Sequence, residues 1–357
     1  MALLERVSNP CLLRPGDIPP SDERLRVAGV FNPGAAEVDG EVLLLARVAE
    51  SVRETRPGWR GLPRFAPGEG LVIDWVRDDD VIELDPRVVQ RKADGLVRLT
   101  FISHLRVVYC GDGRAVRSVD GPVFAPEAPW EAFGVEDPRI TPIGDAWRIA
   151  YVAVSPHGVC AALASTRDFR SFERHGVILP VENKDVALFP ERIGGEYWCF
   201  HRPVCAMPFA RPEMWLARSP DLLHWGGHQP FSPGPAGRWE TGRMGASVPP
   251  FATPEGWLEI YHGNIREEGD GAAVGAYSAG AFLLDRDNPA RMLARTPEPI
   301  LLPEAAFERE GFLPNVVFPT GAVQRDGTLL VYYGAADACV GMVEWRMADL
   351  MNALRPV

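Results

Sequence analysis

Ionisable side chains recur in short, similar settings along this chain. Asp137 lies in Gly134-Val-Glu-Asp-Pro-Arg139, a carboxyl with a second acid, Glu136, on one side and a guanidinium, Arg139, two residues on. A like charge raises a carboxyl pKa and a cation lowers it, so this triplet can tune a proton donor. The simpler role for an aspartate before proline is to cap a turn. Lys184 and Asp185 stand together, Arg202 follows His201, and His262 follows Tyr261 at the end of an apolar run. Arg47 closes the apolar stretch Val42 to Ala46, where an unpaired cation is costly, so it needs an anionic or sugar partner. Taken singly, Lys184 or Arg202 reads as a solvated cation and His262 as a hydrogen-bonded strand histidine. Their joint chemistry depends on elements that bring them to one place.

Those elements announce themselves as a repeat. Gly256-Trp-Leu-Glu-Ile-Tyr-His-Gly263 and Gly327-Thr-Leu-Leu-Val-Tyr-Tyr-Gly334 are one phrase displaced by 71 residues (327 minus 256). Gly40-Glu-Val-Leu-Leu-Leu-Ala-Arg47, Gly144-Asp-Ala-Trp-Arg-Ile-Ala-Tyr151 and Gly195-Glu-Tyr-Trp-Cys-Phe-His-Arg202 follow the same turn-then-strand rhythm. A proline precedes each copy in an extended segment: Pro33, Pro138, Pro190, Pro250 and Pro319. A second echo joins Ser165-Thr-Arg-Asp-Phe-Arg-Ser-Phe172 to Ser219-Pro-Asp-Leu-Leu-His-Trp225, each a turn carrying Asp and leading to an aromatic residue. With 35 glycines and 34 prolines between apolar runs, the chain reads as all-β with many tight turns. Five units of about 71 residues predict a five-bladed β-propeller, with residues 1–357 as one domain. A two-sheet sandwich would leave the five phrases unexplained.

In a propeller the inner strands converge on a central channel, so equivalent ends of the repeated strands meet. The starts of the copies offer Asn32; Glu136, Asp137 and Arg139; Lys184 and Asp185; Arg243; and Asn315. The strand ends offer Arg47; His201 and Arg202; Tyr261 and His262; and Tyr332, Tyr333 and Asp337.

Composition narrows the partners. The formal net charge of −11 opposes phosphodiester backbones and anionic lipid surfaces, which argues against nucleic acid and membrane partners. Glu5 and Arg6 interrupt the N-terminus before any apolar run long enough for a signal peptide, a pattern read as cytoplasmic. The cysteines, Cys11, Cys110, Cys160, Cys199, Cys205 and Cys339, are scattered and read as reduced thiols, mostly in the core. No metal site is expected: His224 and His228 flank Gly226-Gly227, which makes a helix improbable, and a lone His pair is a poor zinc signature. No phosphate loop opens a helix and no Gly-x-Ser-x-Gly elbow occurs, which disfavours nucleotide kinases and serine hydrolases. Asp78-Asp79-Asp80 reads as a solvated loop.

Across nearly its whole length the chain resembles family 130 of the glycoside hydrolases, the β-mannoside phosphorylases and related β-mannosidases. The resemblance rests on Phe31-Asn32-Pro33, Gly134 to Arg139, Asn183-Lys184 before Leu188-Phe189-Pro190, His201-Arg202-Pro203, Tyr261-His262-Gly263, Leu283-Leu284-Asp285, Pro314-Asn315-Val-Val-Phe318 and Tyr332-Tyr333-Gly-Ala-Ala-Asp337. It implies a five-bladed propeller and an inverting enzyme that cleaves a β-mannosidic bond with inorganic phosphate as co-substrate and no cofactor, releasing α-mannose 1-phosphate. Asp137 would be the general acid, acting through the 3-hydroxyl of the bound mannose. Asn32, Arg47 and Asp337 would hold that sugar, and Glu136 and Arg139 are further substrate-binding candidates. Lys184, Arg202, His262 and Tyr277 match the phosphate-binding positions, although the stretch Gly269 to Gly280 admits more than one alignment around Tyr277.

An inverting hydrolase needs a second carboxyl to activate water, whereas phosphate is already a nucleophile and needs cations instead. Retention of Lys184, Arg202 and His262 therefore favours phosphorolysis; the hydrolytic alternative would draw its base from Glu240 or Glu304. A non-catalytic glycan-binding propeller is the third reading. Ala49 to Gly70 and Ser232 to Met244 are the candidate loops for choosing the acceptor sugar, and a homo-oligomer is compatible with the sequence.

Overall fold

The structure, a computed structural model, describes residues 4–204, 211–231, 239–265 and 275–357. Each of the five phrases forms the second strand of an antiparallel sheet: Glu41–Val52, Ala146–Ser155, Tyr197–Pro203, Gly256–Asn264 and Thr328–Ala335. Innermost in the five sheets are Leu25–Val38, Gly134–Ile143, Asn183–Leu188, Arg243–Ala246 and Val317–Arg325. Phe101–Tyr109, Gly158–Thr166, Trp215–Ser219, Tyr277–Leu284 and Cys339–Arg346 pair on the outer side. The protein is a five-bladed β-propeller.

The period-2 alternation of the second strands explains why the ring closes. Val42, Leu44 and Ala46 face the fifth blade and pack with Leu330, Tyr332 and Val340, whereas Leu43 and Leu45 face the second and pack with Ile149 and Tyr151. Ala150, Ala161 and Leu163 meet Leu188, Cys199 and Ala217 between the second and third blades. Phe200 and Leu216 meet Trp257, Tyr261 and Phe282 between the third and fourth, and Leu258 and Ile260 meet Val331 and Tyr333 between the fourth and fifth. Five apolar layers thus join five blades, and the N-terminal strand Cys11–Leu13 completes the last blade by pairing with Cys339–Arg346.

The first two blades also merge into one sheet through a parallel bridge between Gly134 and Ser103. Gly134 has φ +125°, and a Cβ there would lie 2.6 Å from the Ser103 nitrogen, so only glycine allows this approach. In the outer hairpins Asp168 caps the amides of Arg170 and Ser171, and Asp221 those of Leu223 and His224, as the echo between those segments predicts. Cys11, Cys110, Cys160, Cys199 and Cys339 are free thiols; Cys205 lies outside the described residues. Among the described residues no helix is long and apolar enough to cross a membrane.

Between the second and third strands of the first blade the chain leaves the repeat. Trp59–Ala66 and Gly70–Arg77 form a hairpin, followed by a three-stranded sheet of Val81–Asp85, Val88–Arg91 and Val97–Leu99. Leu62 and Val76 on one face of the hairpin pack with Val81 and Val89. The segment Ala49 to Gly70, expected to be a loop, is therefore largely regular strand, because it buries an apolar face of its own. Of the second candidate loop, residues 232–238 lie outside the described residues, while Trp239 and Met244 are buried.

Candidate active site

The site is built by bulges. In the first three blades the innermost strand slips register against its partner between Phe31 and Gly34, Glu136 and Arg139, and Lys184 and Ala187. The slipped residues are Asn32, Asp137 and Asp185, with φ of 47°, 49° and 55°. Asn and Asp tolerate this left-handed region better than other L-residues, and a bulge re-aims its side chain out of the blade. Asp185 is thus the third-blade counterpart of these positions, in keeping with its place at the start of the third copy; Pro190 follows the strand Asn183–Leu188. The shared phrases Phe-Asn-Pro, Glu-Asp-Pro and Lys-Asp-Val carry that signal, an Asx in the middle of each.

Two charge clusters result. In the first, Arg47 donates from one terminal nitrogen to Glu136 Oε1 at 2.7 Å and from the other to Asp137 Oδ1 at 3.0 Å, while its Nε donates to Ser103 Oγ at 3.2 Å. Its guanidinium also lies 4.6 Å from the Phe31 ring centroid. Asn32 Nδ2 donates to Asp137 Oδ1 at 2.9 Å. The partner demanded for Arg47 is therefore a pair of carboxylates, and both protein donors reach the same oxygen of Asp137, leaving Oδ2 for a ligand.

In the second cluster Asp185 is held by three groups: Arg139 at 3.2 Å, Arg202 at 3.1 Å and His262 at 3.4 Å. Arg139 also donates to the main-chain oxygens of Asp137 at 3.0 Å and Ser247 at 3.1 Å, tying the two clusters together. Ser247 Oγ lies 3.1 Å from His262 Nδ1. Gly245 makes room, since a Cβ there would meet both Asp185 Oδ2 and the His262 ring at 2.5 Å.

Asn32, Arg47, Glu136, Asp137, Lys184, Arg202, Tyr277 and Asp337 line one cavity of about 1690 Å³ at the channel mouth. Arg139 and His262 do not reach its wall; they are 1% and 0% exposed and sit behind it. Lys184 lines the cavity with no ion pair among the described residues. Tyr277 follows the portion of the Gly-rich stretch, residues 269–274, that lies outside the described residues, and its ring centroid is 5.9 Å from that of His262.

The electrostatics follow from this packing. Burial acts to raise the Asp137 pKa, but Arg47, Arg139, the Asn32 hydrogen bond and Lys184 together hold it below the ordinary aspartate value. Asp185 is likewise held well below it, chiefly by Arg202 and His262 against the cost of burial. Burial lowers His262 to about 4, so the imidazole is neutral at neutral pH. Asp337 moves the other way: burial, then repulsion from Asp137 and Glu136, outweighs Arg47 and Arg87 and raises it to about 6.

Other candidates lie elsewhere. Glu240 is fully buried, accepts from the Tyr261 hydroxyl and pairs with Arg295 at 2.6 Å; Glu304 is exposed and 3.5 Å from Arg6. Tyr332 donates to the Gly113 carbonyl and Tyr333 to Glu308. His201 bridges Asn183 and His228, each at 3.1 Å, and burial lowers its pKa to about 3, a structural role. His224 is exposed beside Asp221, and among the described residues no three metal-ligating groups converge.

The family model described as beta-1,4-mannooligosaccharide phosphorylase matches residues 83–356, and the chain belongs to this family, glycoside hydrolase family 130. It is 38% identical over 348 residues to the β-1,2-mannobiose phosphorylase of Listeria innocua, covering 96% of each chain. The solved structure of that enzyme with β-1,2-mannobiose matches with a TM-score of 0.87 over 96% of each chain. A 1,2-β-oligomannan phosphorylase from a Thermoanaerobacter species is 38% identical over 70% of this chain and 81% of its own.

Proposed function

We propose that this protein is an inverting phosphorylase of β-1,2-linked mannosides, releasing α-mannose 1-phosphate and a shortened acceptor. The observation that carries this reading is the make-up of the cavity wall around Asp185. Lys184 and Arg202 face the cavity and Arg139 backs them, with Asp185 paired to both arginines and Asp137 within electrostatic reach of Lys184 and Arg139. With His262 neutral, Lys184 is a cavity-facing cation with no ion pair among the described residues, and together with Arg202 it meets the requirement for holding a phosphate in line against nearby carboxylates. The β-1,2 linkage rests on the likeness to the Listeria enzyme over nearly the full chain.

In the reaction a phosphate oxygen attacks the anomeric carbon, the bond from that carbon to the leaving oxygen breaks, and that oxygen takes a proton. The proton comes from Asp137 Oδ2 by way of the sugar 3-hydroxyl. Asn32 and Arg47 fix the carboxyl through its other oxygen, and with Asp337 they hold the mannose. Arg139 and His262 position Asp185 and Arg202 from behind rather than touching phosphate or sugar.

In the free protein Asp137 is held ionised, so it becomes an acid only when substrates arrive. A phosphate anion beside Lys184 offsets a cation that lowers its pKa, and the sugar excludes water, which also favours the neutral form. The test is incubation with β-1,2-, β-1,3- and β-1,4-mannobiose, with and without phosphate. Phosphate-dependent consumption of the β-1,2 isomer supports the proposal; equal release of free mannose without phosphate contradicts it.

A further inference from the structure

The insertion of the first blade contributes a wall that the reaction at Asp137 does not use. Trp59 and Trp75 line the same cavity as Asp137 and Lys184. In the hairpin register Trp59 opposes Arg77 and Trp75 opposes Gly61, so both indoles stand on one face, two residues apart. That face turns toward the first blade, because a Cβ at Gly61 would meet Val52 at 3.1 Å. The opposite face is spent on the small core of Leu62, Val76, Val81 and Val89.

The wall is held firmly. Arg98 pairs with Asp74 at 2.8 Å and donates to the Leu62 carbonyl, while the exposed Arg56 guanidinium covers one face of Trp75, 3.9 Å from its ring centroid, so a sugar would stack on the other. The Phe65 amide bonds the Ala132 carbonyl, anchoring the hairpin to the second blade. Trp59 nevertheless remains 42% exposed in a hairpin that has its own core, with its indole on the cavity wall. The cavity exceeds the roughly 300–1,000 Å³ usual for a small-molecule site. One mannose and one phosphate do not fill it.

We infer that Trp59 and Trp75 form an acceptor-side platform for β-mannooligosaccharides, stacking on sugar rings beyond the one adjoining the cleaved bond. The inference rests on the proposed β-mannoside phosphorolysis and extends it to a substrate class, chains of three or more mannoses. A pyranose presents a face of C–H bonds that packs on an indole, and such contacts are sequence-independent along a repeating polymer. With the terminal mannose at Asp137, the remaining sugars run outward to the insertion. Stacking at this distance from the reacting atoms binds ground and transition states alike, so it lowers KM without changing kcat.

The test compares phosphorolysis of β-1,2-mannobiose, mannotriose and mannotetraose by the wild type, Trp59→Ala and Trp75→Ala. The wild type is expected to favour the tetraose over the biose several-fold in kcat/KM. Each substitution should raise KM for the tetraose about tenfold, leaving kcat and the biose parameters within twofold. Equal losses on biose and tetraose, or no loss on either, overturn the platform while leaving phosphorolysis intact. Should no mannoside be consumed, the function fails first. The platform is then judged by titrating mannotetraose against tryptophan fluorescence: binding lost in Trp75→Ala supports it, and binding unchanged overturns it.

Discussion

Replacing Asp137 by Asn separates proton donation from geometry. The amide keeps the side chain's shape, and its oxygen can still accept from Asn32 and Arg47, which reach Asp137 Oδ1 at 2.9 and 3.0 Å. Arg47 also retains Glu136 at 2.7 Å, so the fold should lose only about 1 kcal/mol. What disappears is the acid. General acid catalysis contributes about 10²–10⁴-fold, or roughly 3–5 kcal/mol of barrier, and kcat on a mannobiose should fall by that factor. A 2,4-dinitrophenyl β-mannoside needs no proton on its leaving group, so with phosphate present its turnover should fall less than about tenfold. A coupled assay for mannose 1-phosphate reads both substrates. Equal loss on the two would refute the acid assignment and leave Asp137 as a positioning residue. The same reasoning fixes the pH profile. Because cations depress the Asp137 pKa in the free protein and phosphate offsets them, the alkaline limb of kcat at saturating phosphate should lie above that of kcat/KM at limiting phosphate. Coincident limbs would contradict the coupling.

Three further outcomes follow from the charge clusters. Arg47→Met leaves Glu136 and Asp137 facing each other without their shared cation, a loss of about 3–5 kcal/mol that a urea unfolding midpoint will register. Lys184→Met removes a cavity-facing charge without breaking an internal ion pair; one charge at contact distance is worth a few kcal/mol near a surface, so KM for phosphate should rise about 10–100-fold with little change in stability. Asp337→Asn should stabilise the protein as pH rises. The folded pKa, about 6, lies above the unfolded value, so the wild type has its full stability below the unfolded pKa and loses it as pH climbs through 6; the variant should gain about 1–2 kcal/mol at pH 8 and much less at pH 4 while losing activity. A gain equal at both pH values would show that the carboxyl is not the cause.

The propeller was legible because its core depends on alternation within five similar strands, and periodicity of that kind survives in one sequence. Arg47 was legible for a related reason: a cation at the end of a buried strand must find an anion. Asp185 was legible as an acid at a strand start but its role was not, since that comes from three partners on other strands, Arg139, Arg202 and His262, and no local pattern encodes such a meeting. The positions of Arg139 and His262 behind the cavity wall, rather than on it, follow from close approach at Gly245, which spacing does not reveal. The insertion of residues 59–99 escaped the repeat because it is built once, and its polar outer positions read as loop.

The central claim is that phosphate attacks the anomeric carbon directly while Asp137 supplies the proton. It is tested most directly by following ¹H and ³¹P NMR during turnover of a β-1,2-mannobiose in phosphate buffer. The account predicts that the first sugar phosphate to accumulate is α-mannose 1-phosphate, in step with free mannose from the acceptor side and absent without phosphate. A β-configured sugar phosphate, or free mannose formed from both halves at the same rate in phosphate-free buffer, would contradict it.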